Sequence, residues 1–359
     1  MEQPKTLPGK QHAASDRLDY LDAVRGICVI LVVIAHHLVG ADFVIKYPYL
    51  FSLTPFFLIS GFLYAHKRSW EQPFRVVLAK NCKRLLYPFV TFSAVNLIWS
   101  VLYYKVVFPS AVPDFYSLRE MLLLTVTTYG YNALWYMPCM FWGALLFTAV
   151  RKQKHHRLIW AACSIFIIVF YILFDEALSG HGLFSRVYCY LFRSVMAMIF
   201  VYAGHLLYYV LQSIDQQKER ILLSFSIVIS GINLGLLLIY PEQFPMANLA
   251  AHRLGNPYFY YLAAMAPSVS IFILCKRYWK DSRVLTYFGR HSLIVMALHM
   301  DIFVRIGWYI LSKLQIQLGE TGNSVLVIAM ELAMAPVFIF IINRFFPFLL
   351  KLPQKNTKN

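Results

Sequence analysis

The chain alternates between long apolar runs and short polar segments along almost its whole length. A helix needs about 20 mostly apolar residues, with a range of about 17–25, to cross the hydrocarbon core of a bilayer. Runs of this length indicate membrane-spanning helices rather than the buried helices of a soluble domain. Ten such runs are predicted, near residues 21–40, 49–65, 85–108, 132–150, 157–174, 186–211, 221–240, 257–275, 286–312 and 325–346.

The basic residues are concentrated in every second polar segment. With the N-terminus placed in the cytoplasm, the cytoplasmic segments hold most of the 33 Lys and Arg residues. The opposite segments contain only Lys46, Lys105, Arg119, Arg186, Arg253 and Lys313. This asymmetry follows the positive-inside rule. The predicted fold is an all-α, multi-pass bundle of about ten transmembrane helices at residues 21–350, between cytoplasmic tails at 1–20 and 351–359.

The composition agrees with a membrane protein and changes how the net charge is interpreted. Charged residues make up 14% of the chain, whereas a soluble domain carries about 25%. A formal net charge of +16 is compatible with nucleic-acid binding, but here the basic residues lie in short loops and are explained by topology. Membrane lipids are therefore expected as partners, and nucleic acid is not. The six cysteines show no metal-ligand spacing, and no metal site is predicted.

Two ionisable residues, Arg25 and His36, lie in the first apolar run. Such residues are costly inside a membrane and are functional by default. Eleven residues at about 100° each amount to three turns plus about 20°, so both side chains project from one face of a helix, about 16 Å apart along its axis. A cation near one membrane surface is thereby aligned with an imidazole near the other. This alignment predicts a long, charged ligand lying along the helix.

A basic cluster precedes the third apolar run. Lys80, Lys83 and Arg84 are spaced i, i+3 and i+4, which puts them on one face of a helix. One interpretation is positive-inside charge that anchors a span. The other is a site for the phosphates of a polyanion at the cytoplasmic mouth. In that site Arg25 is the deepest cation, and Arg17 is a further one near the inner face.

Several polar residues are predicted away from the inner face. With a rise of about 1.5 Å per residue, His36 and Glu331 each lie within about 10 Å of the outer surface. They share a site if the first and tenth spans are neighbours. Alternatively, Glu331 forms a structural ion pair with Arg305 of the ninth span. His299 is predicted near mid-depth, either as a functional residue or as a packing residue.

Five stretches of the chain carry a family resemblance. The first is Arg17-Leu-Asp-Tyr-Leu-Asp-Ala-Val-Arg-Gly, followed by the adjacent pair His36 and His37. The others are 56–62, 80–88, 134–138 and 289–299. In this order they resemble the membrane acyltransferase 3 family, and most closely its sugar O-acetylase branch with enterobacterial-common-antigen and fucose acetylase-like members. The basic cluster departs from the family pattern, because Lys-x-x-Lys-Arg stands where many relatives have paired arginines. Lysine is the poorer bidentate phosphate ligand.

The resemblance implies an enzyme, an O-acyltransferase of the bacterial inner membrane. Such an enzyme moves an acyl group, usually acetyl, from cytoplasmic acyl-CoA to a hydroxyl of a cell-surface or lipid-linked carbohydrate. Acetyl-CoA would be the donor substrate, and no permanently bound cofactor is expected. CoA has a polyanionic nucleotide end and a thioester at the tip of a long arm. That shape suits the distance between Arg25 and His36.

Roles for single residues follow from the resemblance together with the geometry. The predicted donor-binding residues are Arg17, Arg25, Lys80, Lys83 and Arg84. His36 is predicted either to act as general base on a sugar hydroxyl or to carry the acetyl group itself, with Glu331 assisting. Trp135 and Tyr136 open the fourth span, where they either belong to the interfacial aromatic belt or stack on the acceptor sugar.

A transporter or flippase of a glycan precursor is the competing interpretation. It would use the same polar residues as a substrate path. Transporters often contain internal repeats and helices broken at mid-membrane. No repeat relates the two halves of this chain, which favours the enzyme.

Overall fold

The computed structural model describes residues 18–37, 42–107, 115–178, 183–242, 249–251 and 253–351. Within these residues the regular structure is helical, as the apolar runs predict. The α-helices are α1 (Asp19–His37), α2 (Asp42–Phe51), α3 (Thr54–His66), α4 (Phe74–Asn81), α5 (Tyr87–Val107), α6 (Phe115–Val126), α7 (Tyr136–Arg151), α8 (His156–Leu178), α9 (Leu183–Ser213), α10 (Gln216–Ile239), α11 (Pro257–Leu274), α12 (Arg283–Arg290), α13 (Ser292–Leu298), α14 (Val304–Leu314) and α15 (Gly319–Phe345).

Shorter helical pieces continue or connect these helices. Three are π-helical, a geometry that is frequent at functional sites. The π-helical segments are Cys82–Leu86 between α4 and α5, Cys275–Trp279 after α11, and His299–Phe303 between α13 and α14. The 3₁₀ turns are Ser69–Glu71, Asn132–Trp135, Leu249–Ala251 and Pro347–Leu349. Two of the π-helical segments contain residues of the candidate site described below.

Nine helical segments within the described residues are long and apolar enough to cross a membrane. They coincide with the second to tenth predicted spans. The segments are Tyr47–His66, Phe74–Val107, Asn132–Arg151, His156–Phe174, Phe184–Ser213, Gln216–Ile239, Phe259–Trp279, Ser292–Leu314 and Gly319–Phe345. Helix α1 coincides with the first predicted span but is not one of the nine. The count of ten and the cytoplasmic position of both termini therefore stay predictions.

Helix α1 lies at the centre of the bundle. Its side chains at Ala23, Val24, Cys28 and Val29 are fully buried, and it packs against α2, α3, α11, α12, α13 and α15. Helices α8 and α10 lie on the outside of the bundle. Of the residues in their most apolar stretch, only 6% are buried in α8 and 17% in α10. Such apolar, uncovered faces are suited to contact with lipid. The costly polar residues of α1 are therefore held inside the bundle.

Helices α1 and α12 cross with their backbones almost in contact. A Cβ atom at Gly289 would lie 1.7 Å from the carbonyl oxygen of Asp22, and one at Gly26 would lie 2.0 Å from that of Leu285. Small residues are what allow membrane helices to approach so closely. The crossing holds the first turns of α1 against the end of α12, where part of the candidate site is found.

Replacing Gly289 by alanine is expected to destabilise the protein by about 1–3 kcal/mol, the usual cost of overpacking. The matched control is Gly231 on α10, because nothing lies within 4 Å of its ideal Cβ. Gly231→Ala is expected to keep or raise the melting temperature, since alanine is the better helix former. Thermal unfolding of the purified variants in detergent measures both effects. Equal melting temperatures for the two variants would contradict the close crossing.

Candidate functional site

A cavity opens beside the end of α1 that carries His36. Its volume is about 190 Å³, and it lies where α1 meets the corner between α2 and α3, the 3₁₀ turn Asn132–Trp135 and α11. The polar and aromatic side chains in its wall include His36, Tyr49, Asn132, Trp135 and Tyr260. By the predicted topology this end of α1 faces the outer surface, and we call the space the outer cavity.

The imidazole of His36 is oriented by the backbone of its own helix. Its Nδ1 lies 2.7 Å from the carbonyl oxygen of Val32. Because a carbonyl oxygen only accepts hydrogen bonds, Nδ1 of the neutral ring carries the proton and Nε2 is the basic nitrogen. The ring contacts those of Tyr49 and His299, at centroid distances of 5.2 and 5.1 Å. His36 therefore has the tautomer that a general base at Nε2 requires.

His299 is a second imidazole at this site. It is 0% exposed and opens the π-helical segment His299–Phe303. Its Nδ1 lies 3.2 and 3.0 Å from the carbonyl oxygens of Val295 and Met296, so Nδ1 carries the proton in the neutral form of this ring as well. The structure brings the residue predicted near mid-depth into ring contact with His36.

Glu331 lies on α15 and is 1% exposed. Helix α15 packs against α1 and against the π-helical segment that begins at His299, so the first and tenth predicted spans are neighbours. The alternative ion pair between Arg305 and Glu331 is not formed among the described residues. Instead the guanidinium of Arg305 pairs with Asp301 at 3.7 Å and donates to the hydroxyl of Ser100 at 3.4 Å. Glu331 stays a candidate for assisting His36.

Asp301 is a buried carboxylate that the sequence analysis does not identify. It is 1% exposed. Its Oδ2 accepts a hydrogen bond from Nδ2 of Asn96 at 3.0 Å, and its Oδ1 accepts one from Nδ2 of Asn132 at 2.7 Å. Arg305 supplies the opposite charge. A signal was present in the sequence, because an aspartate inside the ninth apolar run is as costly in a membrane as the residues of the first run.

A buried arginine supports another wall of the outer cavity. Arg193 is 2% exposed and donates to the carbonyl oxygens of Ala250 and Tyr129, at 3.2 and 3.1 Å. Its guanidinium also lies over the rings of Tyr129 and Trp135, at 4.1 and 5.3 Å, a favourable cation–π arrangement. Burial raises the pKa of Tyr129 to about 12, so its phenol stays neutral beside this cation. Two lining residues, Trp135 and Ala250, are thereby held in place.

The two aromatic residues predicted for acceptor binding face different surroundings. Trp135 lines the outer cavity. Tyr136 is not among the described residues that line it, and its ring packs against Phe57 at a centroid distance of 5.1 Å. Its hydroxyl interacts electrostatically with Arg84 and Arg25, which lie toward the other end of α1. Trp135 and Tyr136 are neighbours in sequence, but Trp135 faces the outer cavity and Tyr136 faces the end of the site with Arg25 and Arg84.

A wider cavity, which we call the inner cavity, lies at the opposite end of the bundle. Its volume is about 530 Å³. All three members of the predicted basic cluster line it, together with basic residues from distant parts of the chain. The basic lining residues are Lys80, Lys83, Arg84, Arg290, His291 and Lys351. Lys83 and Arg84 lie in a π-helical segment rather than in the α-helix that their spacing predicts, and they still share this cavity with Lys80.

The C-terminal segment closes one side of the inner cavity. The hydroxyl of Tyr87 donates to the carbonyl oxygen of Phe348 at 2.7 Å. The hydroxyl of Thr91 donates to the carbonyl oxygen of Leu349 at 2.7 Å. These bonds fasten Phe348 and Leu349 to the start of α5 and bring Lys351 beside the basic cluster. Lys351 could not be assigned to this site from the sequence, because the contact joins residues far apart in the chain.

Arg25 is held by the acidic residues at the start of α1. Its Nη1 donates to Oδ1 of Asp22 at 2.9 Å. The second oxygen of Asp22 lies 3.4 Å from Nε of Arg290, whose Nη2 donates to Asp19 at 3.2 Å. Acidic residues at a helix start are usual because of the helix dipole, but these two also pair with cations of the site. Arg17 lies outside the described residues.

The outer and inner cavities lie at opposite ends of α1, and no residue in the described part of the chain lines both of them. Helix α1 runs without interruption from Asp19 to His37, so Arg25 and His36 lie about 16 Å apart on one face of it. Arg25 interacts electrostatically with Arg84, which lines the inner cavity. This arrangement can bind a polyanion at one end of α1 and deprotonate a hydroxyl at the other.

One comparison with known proteins gives a match. A family model described as an acyltransferase domain matches residues 18–343. No curated protein and no solved structure matches the chain. The matched range contains every described candidate site residue except Lys351, and it ends before the C-terminal segment that holds Lys351 in place.

Proposed function

The chain belongs to the membrane acyltransferase 3 family. We propose that it moves an acetyl group from cytoplasmic acetyl-CoA to a hydroxyl of a cell-surface or lipid-linked carbohydrate. The observation that carries the proposal is the arrangement along α1. His36 faces the outer cavity, while basic side chains surround the inner cavity about 16 Å away. A bacterial inner membrane, with CoA on one side and surface glycans on the other, is the proposed location.

The inner cavity is the proposed site for the nucleotide end of CoA. Phosphates are bound by Lys and Arg side chains through charge-assisted hydrogen bonds. Here the predicted Lys80, Lys83 and Arg84 line the cavity with Arg290 and Lys351. From this cavity the pantetheine arm would run along α1, past Arg25, toward the outer cavity.

Arg25 is the proposed inner end of the route for this arm. The carboxylate of Asp22 orients its guanidinium, and 27% of its side chain stays exposed. Tyr136, which interacts electrostatically with Arg25 and Arg84, lies next in sequence to Trp135 of the outer cavity. We therefore assign Tyr136 to the route of the donor rather than to the acceptor.

His36 is the proposed base. Its Nε2 removes the proton of an acceptor hydroxyl, whose oxygen attacks the thioester carbonyl. The carbon–sulfur bond breaks, and the CoA thiolate leaves and takes a proton from the imidazolium. Transfer through an acetyl group on His36 would use the same nitrogen, because Nδ1 is bound to the carbonyl oxygen of Val32. Glu331 is proposed to assist through its position on the neighbouring helix α15.

The acceptor is proposed to occupy the outer cavity. Trp135 lines this space. The guanidinium of Arg193 lies over its ring, at 5.3 Å from the ring centroid. An indole ring packs well against the apolar face of a sugar. Hydroxyls at the edge of that sugar would then lie near His36.

Release of CoA tests the proposal. Purified protein in lipid nanodiscs would be mixed with acetyl-CoA and a glycolipid extract of bacterial membranes, and free CoA would be measured by chromatography. We expect release that rises with the amount of extract, together with acetyl groups in the glycolipid fraction. Release no faster than in the absence of protein would contradict the proposal.

A further inference from the structure

The segment Tyr129–Trp135, which we call the outer strap, supplies Asn132, Ala133 and Trp135 to the wall of the outer cavity. We propose that Asn132 determines acceptor specificity, by accepting a hydrogen bond from one carbohydrate hydroxyl while His36 deprotonates a neighbouring one. This inference rests on the proposed function. It extends that function to a residue that the sequence analysis does not identify.

The backbone of the outer strap is unusual. Thr128, which precedes it, and Asn132 have positive φ angles of 56° and 44°, and Gly130 has 87°. A Cβ atom at Gly130 would lie 2.2 Å from Cα of Trp135, so the strap folds back tightly on itself. Left-handed conformations are rare in residues other than glycine and persist where the surroundings enforce them, often at binding sites.

Two buried charges enforce the conformation of the outer strap. Arg193 donates to the carbonyl oxygen of Tyr129 at one end of the strap. Its guanidinium also lies over the ring of Trp135 at the other end. Asp301 accepts the hydrogen bond from Asn132 in between. Intramembrane charges are costly, and here two of them converge on one short loop beside the outer cavity.

The carboxamide of Asn132 has a defined orientation. A carboxylate only accepts, so the group 2.7 Å from Asp301 is the Nδ2 amide. The hydroxyl of Tyr131 lies beside the same amide, and burial raises the pKa of that phenol. The carbonyl oxygen Oδ1 of Asn132 makes no hydrogen bond to another described residue. Because Asn132 lines the outer cavity, this oxygen is the acceptor that its side chain can offer to a ligand there.

This geometry selects the chemistry of the ligand. A carbonyl oxygen only accepts, so it binds a group that donates, such as a sugar hydroxyl, and disfavours a deoxy or O-methyl position. Trp135, on the same strap, offers an aromatic face to the same ligand. Asp301 is not assigned as the base, because it is 1% exposed and is not among the described residues that line the outer cavity. Its role is to position Asn132.

The test uses Asn132→Gly, because glycine adopts the positive φ of this position without strain. The protein in nanodiscs would be given labelled acetyl-CoA and increasing amounts of the bacterial glycolipid extract. We expect the KM for the extract to rise about tenfold or more, as for loss of a hydrogen bond that selects the substrate. The Kd for acetyl-CoA should stay within about twofold of the wild type, because the proposed phosphate site is the inner cavity at the opposite end of α1.

Asn96→Ala is the matched control. Asn96 donates to the same carboxylate, at 3.0 Å, but it lies on α5 and is not among the residues lining the outer cavity. It is 0% exposed, so its replacement should lower the melting temperature. The KM for the extract should stay within about twofold, because Asn132 and Arg305 still hold Asp301.

The outcomes distinguish a failure of the role of Asn132 from a failure of the proposed function. An unchanged KM for the extract in Asn132→Gly would overturn the role of Asn132, and so would an equally large rise in the Kd for acetyl-CoA. A rise in KM in Asn96→Ala as large as that in Asn132→Gly would overturn it too. Failure of the wild-type protein to release CoA from acetyl-CoA under any condition would instead overturn the proposed function.

Discussion

Replacement of His36 by asparagine is expected to lower the rate of acetyl transfer about 10³-fold, within the range that a positioned general base contributes. Asparagine can still donate a hydrogen bond to the carbonyl oxygen of Val32, which His36 contacts at 2.7 Å. It has no basic nitrogen in the place of Nε2, so the acceptor hydroxyl keeps its proton. The measurement is the single-turnover rate in nanodiscs with saturating acetyl-CoA and glycolipid extract.

Binding of acetyl-CoA should remain nearly unchanged in this variant, because the proposed phosphate site lies at the opposite end of α1. Calorimetric titration would show a Kd within about twofold of the wild type. His155→Asn is the control, since His155 is an exposed residue between α7 and α8. Its transfer rate should equal that of the wild type. A His36→Asn protein that is folded and transfers acetyl groups at the wild-type rate would exclude His36 as the base.

Replacement of Arg84 by alanine is expected to raise the KM for acetyl-CoA about 10- to 100-fold, with a much smaller change in kcat. Hydrogen bonds to charged groups contribute about 1.5–3 kcal/mol each. Arg84 lines the inner cavity and a second cavity of about 180 Å³ beside it, so its loss removes a cation from both. The effect should shrink as salt is added, because ions screen the attraction between phosphate and cation.

The control for this prediction is Arg75→Ala. Arg75 is exposed on α4 and lines neither the inner cavity nor the second cavity beside it. The variant therefore loses the same net charge without losing a lining residue. Its KM should stay within about twofold of the wild type. Equal effects of the two substitutions on the KM would contradict a phosphate site in the inner cavity. The basic cluster would then serve only the orientation of the protein in the membrane.

The helices that cross the bundle could be predicted from the sequence because apolar length is a local property. Nine apolar helical segments coincide with predicted spans. The interruptions inside them could not be predicted in this way. The π-helical segment His299–Phe303 lies within the ninth apolar run, and its two polar residues, His299 and Asp301, do not by themselves indicate a change of helix type. Its position depends on packing against α5, α14 and α15.

The candidate site was predictable where it follows helix periodicity. Arg25 and His36 share one face of α1 because α1 is one regular helix. The contacts of Asp301 and Asn132 were not predictable, since they join residues 169 positions apart and Asn132 lies in a turn without periodic pattern. The same holds for Lys351, which reaches the inner cavity through the packing of the C-terminal segment on α5.

The most direct test of the central claim follows an acetyl group across the membrane. Sealed inside-out vesicles containing wild-type protein or His36→Asn, at equal expression and with endogenous acceptor present, would receive labelled acetyl-CoA on their exposed cytoplasmic face. The proposed function predicts label in the glycan or glycolipid fraction of the wild-type vesicles and at least about 10²-fold less in the variant. Equal labelling in both, or none in either, would contradict an acyltransferase that uses cytoplasmic acetyl-CoA and His36.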